Sequence, residues 1–124
     1  MPGDSERNIH MLIFTWFSWL KTTQAMHADR EELLQTAPLK IPAVTSYIFD
    51  QLERMAHEQL NLAQQELSKN KIRILSNKYD QGEYFVIWQQ RGKTDLSRYG
   101  INTLAPQIQE NMNLLFNSLP PTKK

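Results

Sequence analysis

The chain has 124 residues, of which 40% are hydrophobic, 10% aromatic and 22% charged, with a net charge of +1 at neutral pH. That amount of apolar material suits one domain with its own core and excludes wholesale disorder. The near-zero charge gives no global pull toward nucleic acid or membrane, and the absence of cysteine removes disulfide scaffolds, thiolate metal sites and cysteine nucleophiles and suits a reducing compartment.

Residues 1–6 are expected to be a disordered N-terminal tail, followed by a single α+β domain over 7–119. A first helix is predicted from about Arg7 to His27. Ile9, Leu12, Ile13, Trp16, Phe17 and Leu20 recur at helical spacing. Met11 and Phe14 fall on the opposite side and Trp19 borders the stripe, so this helix needs cover on more than one side. The run Met11 to Leu20 is half the roughly 20 apolar residues a spanning helix needs. Asp4, Glu6 and Arg7 before it do not make the basic start of a secretion signal.

A short second helix is expected to start at Asp29, where Glu32 stands three residues on in a capping-box arrangement. Leu33 and Leu34 would anchor it, and Pro38 and Pro42 would end it. The longest helix is predicted from Pro42 or Ala43 to Lys69. Proline suits its first turn, and Phe49, Leu52, Ala56, Leu60, Ala63 and Leu67 keep a 3-4 rhythm. Ile48, Met55 and Leu62 widen that stripe.

No glycine occurs between Asp4 and Gln81, whereas Gly82, Gly92 and Gly100 crowd the later part. The hydrophobic period also changes from 3.6 to 2. Ile72–Tyr79 and Glu83–Arg91 read as strands of one antiparallel hairpin around Gln81-Gly82. That loop pairs Tyr79 with Tyr84 and Leu75 with Trp88. One face then carries Leu75, Tyr79, Tyr84, Val86 and Trp88 with Arg73 and Asn77. The other carries Ile72, Ile74, Phe85 and Ile87, and a one-residue slip would exchange these sets on one strand. Gly92 to Asn102 reads as a basic linker. A last helix is expected from Thr103, with Pro106 in its first turn and a stripe of Leu104, Ile108, Met112, Leu115 and Leu119. Residues 120–124 are expected to be a flexible C-terminal tail.

The fold class is therefore α+β, mostly α: three main helices in α-α-β-β-α order, with a short extra helix after the first, plus one antiparallel β-hairpin. This order is not specific to one family.

Chemistry-bearing motifs are absent. His10, His27 and His57 match no metal-ligand spacing, and no nucleophile elbow or phosphate-cradling glycine loop occurs. No catalytic residue, metal or cofactor is expected. Convergence of His27 and His57 with a carboxylate in one pocket would revive a helix-bundle enzyme or metal protein.

Charge is more informative. Residues 1–68 carry five basic and nine acidic residues, whereas residues 69–124 carry nine basic and four acidic. Lys71, Arg73, Arg91, Lys93 and Arg98 surround Tyr84 and Trp88, so residues 69–98 are a candidate nucleic-acid surface of phosphate-binding cations and base-stacking aromatics. The bland alternative makes the aromatics cross-strand core pairs and the cations solvating edge residues. Met11, Phe14, Trp16, Phe17 and Trp19 are the candidate interface for self-association as a homodimer, since interfaces favour such side chains. The reading reached is a small non-enzymatic, cytoplasmic interaction or regulatory protein acting through protein–protein contacts, with itself and with another protein as possible partners and no membrane association. Nucleic-acid binding is the alternative.

Overall fold

A run without glycine or proline, from Asp4 to Ala37, gives a helix no cheap place to stop, and that governs the first third of the molecule. The computed structural model describes residues 2–36 and 42–118, with side chains from 8–28 and 47–118. Helix α1 runs Pro2–Thr36 as one element. The expected break into two helices is corrected: Asp29 in a helix interior costs only about 0.7 kcal/mol against alanine, too little to end it. α1 begins inside the segment expected to be an N-terminal tail. The side chains of Asp29, Glu32, Leu33 and Leu34 lie outside the described residues, as do residues 37–41 and the C-terminal tail.

Helix α2 spans Pro42–Lys69, the bounds its proline and its stripe predict. Leu52, Ala56, Leu60, Ala63 and Leu67 are all buried. Asn70 and Lys71 close the helix through bonds to the Glu66, Leu67 and Ser68 carbonyls. Lys71 takes the left-handed conformation, φ 61°.

Three strands follow rather than two: β1 Ile72–Asp80, β2 Glu83–Gln90 and β3 Lys93–Gly100. They form an antiparallel meander in the order β1-β2-β3. The segment read as a linker is thus mostly an edge strand. Arg91-Gly92 repeats the turn made by Gln81-Gly82, with positive φ at both central residues (52° and 82°, against 49° and 82°). That backbone matches the twist of a two-residue hairpin. Helix α3, Ile101–Asn117, starts directly after Gly100, two residues before the predicted start, and the Ile101 amide donates to the Gly82 carbonyl.

Tyr79 pairs with Tyr84 as expected, but a bulge between Ile74 and Ser76 sets Ile74, not Leu75, opposite Trp88. Beyond the bulge the predicted sets exchange. Ile72 and Ile74 join Val86, Trp88 and Tyr84 on the helix-facing side. Leu75 is 46% exposed, and Arg73, opposite Gln89, belongs to the outer face.

The core centres on α1. Ile13, Trp16, Phe17, Trp19 and Met26 are buried against the α2 stripe, the inner sheet face and Leu104 and Leu115 of α3. Phe14 packs on Tyr99 of β3, ring centroids 5.1 Å apart. The third strand and α3 supply the extra cover that α1 requires.

Candidate functional site

The sheet has one covered face and one open face. On β2, Tyr84, Val86 and Trp88 point to the helices, so Phe85, Ile87 and Gln89 point away. On β3 the register puts Leu96 opposite Ile87, Arg98 opposite Phe85 and Thr94 opposite Gln89. β1 adds Arg73 and, beyond the bulge, Ser76 and Lys78. The outer face thus has an apolar centre edged by cations. Ile87 is 37% and Leu96 41% exposed. Arg98 lies over the Phe85 ring, 5.8 Å from its centroid, and bonds both Glu83 carboxylate oxygens, at 3.1 and 3.3 Å. This fork pairing holds Arg98 flat on the sheet.

The five nominated cations, Lys71, Arg73, Arg91, Lys93 and Arg98, are all exposed. The two nominated aromatics are not beside them. Trp88 is buried and donates from Nε1 to Ser97 Oγ at 3.0 Å. Tyr84 is half-buried between Phe17 (5.3 Å) and Tyr79 (4.7 Å), with Lys21 Nζ over its ring. Neither can stack a base as placed; both are cross-strand packing residues. Phe85, Ile87 and Leu96 were missed as surface features because β3 was unread, although Arg91-Gly92 carried the turn signal.

The nominated self-association residues are dispersed differently. Trp16, Phe17 and Trp19 are buried within one chain and Phe14 is half-buried, leaving Met11 exposed at 60%. Of these five residues, then, only Met11 is freely exposed to a second subunit.

Under the sheet, His10, Trp88, Ser97 and Tyr99 form a knot. His10 Nδ1 and Ser97 Oγ are 2.6 Å apart, the His10 ring meets Trp88 edge-on at 5.8 Å, and Tyr99 donates to the His10 carbonyl at 3.0 Å. Burial pushes the Tyr99 phenol up to about 12, partly opposed by the Ser97 hydroxyl. With Ser97 only 2% exposed, this serine–histidine pair ties α1 to β3.

His27, Glu53 and His57 do line one groove between α1 and α2, together with Thr23 and Gln24, which is the convergence of two histidines and a carboxylate that the helix-bundle enzyme or metal reading requires. Among the described residues, however, no group of three or more histidine or acidic side chains is placed to hold a metal ion. The Thr23 hydroxyl donates to the Leu20 carbonyl. Among the described residues no helix is long and apolar enough to cross a membrane.

No curated protein and no solved structure matches the chain. The chain belongs to the family described as YhjD protein, whose family model matches residues 22–119. The match takes in α2, the sheet and α3 and begins within α1, so Ile13, Trp16, Phe17 and Trp19 fill the core from outside it.

Proposed function

We propose that this YhjD-family chain is a small, non-enzymatic interaction protein of the cytoplasm, working through protein–protein contacts made by the outer sheet face. One observation carries the reading. Ile87 and Leu96 are cross-strand partners, both aliphatic, and both face solvent. On a half-covered antiparallel sheet such positions are ordinarily polar, and clustered exposed apolar groups mark contact surfaces. Their aliphatic character favours protein over nucleic acid, whose bases are held by exposed aromatic platforms.

A photo-reactive amino acid at position 96, introduced in cells, tests this. Adducts with defined protein masses are expected. They should be lost when Ile87→Lys is added and absent when the probe is at Gln64 on exposed α2. Equal adducts at both positions overturn the reading. Steeply salt-dependent binding of RNA or DNA, abolished by Arg73→Ala and Lys93→Ala while position 96 gives no protein adduct, would put the nucleic-acid alternative in its place.

A further inference from the structure

The outer sheet face has a counterpart elsewhere on the same chain. Ile48, Met55 and Leu62 recur every seven residues along α2, a spacing that keeps them on one side of the helix. Ile48 is 40% and Leu62 53% exposed, and Met55 is half-buried. This flank runs beside the buried Leu52–Leu67 stripe without being covered by it. Glu58 and Glu66 lie along it.

The two surfaces are opposite in charge. The helix flank carries Glu58 and Glu66, the latter paired with Lys69 at 3.3 Å, whereas the outer sheet face carries Arg73, Lys78 and Arg98, of which, among the described residues, only Arg98 bonds a carboxylate of that face, Glu83. They cannot meet within one chain. The outer sheet face points away from the core that α2 helps to form, because Val86, Trp88 and Ser97 on the opposite side of the same strands are buried. Sheet-to-sheet pairing of two copies would bring Arg73, Lys78 and Arg98 toward their own equivalents, and like charges set against each other oppose association. Sheet-to-helix pairing sets cations against carboxylates and apolar groups against apolar groups.

We propose that the outer sheet face of one copy receives the Ile48–Met55–Leu62 flank of a second copy. This rests on the reading of that face as a protein contact, and names its occupant. The contact is heterologous, so each copy retains one free sheet face and one free helix flank, and assembly closes only by a ring or by reciprocal use of both surfaces.

Sedimentation equilibrium of the full chain, from micromolar to millimolar, tests it with two single variants at exposed sites, Ile87→Lys and Leu62→Lys. Circular dichroism checks that each is folded, and Leu96→Lys replaces Ile87→Lys if needed. The wild type should rise above 14.6 kDa with concentration. Each variant alone should associate at least tenfold more weakly. An equimolar mixture of the two should form a heterodimer, because one copy contributes an intact helix flank and the other an intact sheet face. A wild type that stays at 14.6 kDa overturns the inference. So does association that Leu62→Lys leaves unchanged, or a mixture no stronger than its parts. In those cases position-96 adducts still decide separately whether the sheet face meets another protein.

Discussion

Asn111 of α3 reaches across the core to Ser18 of α1: its Nδ2 donates to Ser18 Oγ at 3.1 Å, and also to Thr22 Oγ1 at 3.2 Å. All three residues are buried. The hydroxyl protons are already used, Ser18 donating to the Thr15 carbonyl and Thr22 to the Ser18 carbonyl. The hydroxyl oxygens therefore need a donor, and Gln107 satisfies the Asn111 carbonyl oxygen in turn. No buried side-chain polar atom among the described residues is left without a partner. A fully satisfied buried network of this kind fixes which face of α3 meets α1.

Asn111→Ala is expected to cost about 1–3 kcal/mol, because it strips the donor from two buried oxygens. Asn111→Asp should cost more, since its carboxylate would face oxygens whose protons point elsewhere. Urea denaturation monitored by circular dichroism measures both. An aspartate variant as stable as wild type at neutral pH would refute this donor assignment.

Ser97 accepts the Trp88 indole N–H beneath the sheet. Ser97→Ala leaves that buried donor with no partner and removes the neighbour of His10 Nδ1. The expected loss is again about 1–3 kcal/mol, with a change in tryptophan fluorescence, because the Trp88 environment changes. Ser97→Thr should retain most of the stability if the added methyl fits beside Val86. Equal stability of the alanine variant would mean that Trp88 has found another acceptor.

How much of this was legible depends on where the physical signal resides. α2 was legible end to end, because Pro42 marks its first turn and Leu52, Ala56, Leu60, Ala63 and Leu67 repeat at one period. β3 was not, because Asp95, Ser97 and Lys93 are poor strand formers and only the edge position and the Arg91-Gly92 turn make them a strand. The bulge at Leu75 leaves no mark in a run of β-compatible residues, yet it decides that Ile74 faces the core and Arg73 the outside. Asn111 occupies a core position on the α3 stripe, but its partners Ser18 and Thr22 are some ninety residues away. The outer sheet face followed from β3 and could not be assembled without it.

Leu52 is 1% exposed and packed in the main core, as its place on the stripe predicts. Leu52→Ala should cost about 2–5 kcal/mol, the lost transfer energy plus the cavity left behind. A substitution at Leu114, 53% exposed on α3, provides the contrast. Leu114→Ala should change stability by less than about 0.5 kcal/mol, the usual range for surface positions. Similar denaturation midpoints for the two variants would mean that the core stripe is misassigned.

Tyr99 makes stability depend on alkaline pH. Its phenol is held at about 12 in the folded chain against 10.0 for the free group, because burial disfavours the phenolate. The folded state therefore binds this proton more tightly than the unfolded state. The resulting stabilisation is complete below pH 10 and is lost as pH rises from 10 toward 12. Partial exposure of the ring allows screening, so the loss should be at most about 2 kcal/mol. Lysine deprotonation falls in the same range, which makes Tyr99→Phe the necessary comparison. At pH 7 the phenylalanine variant should be about 1 kcal/mol less stable, because the bond to the His10 carbonyl is gone. Between pH 9 and 11.5 it should lose less stability than wild type, so the two curves converge. Parallel curves in urea melts across that range would show that Tyr99 titrates alike in both states and that its ring is not desolvated by the packing of α1 on β3.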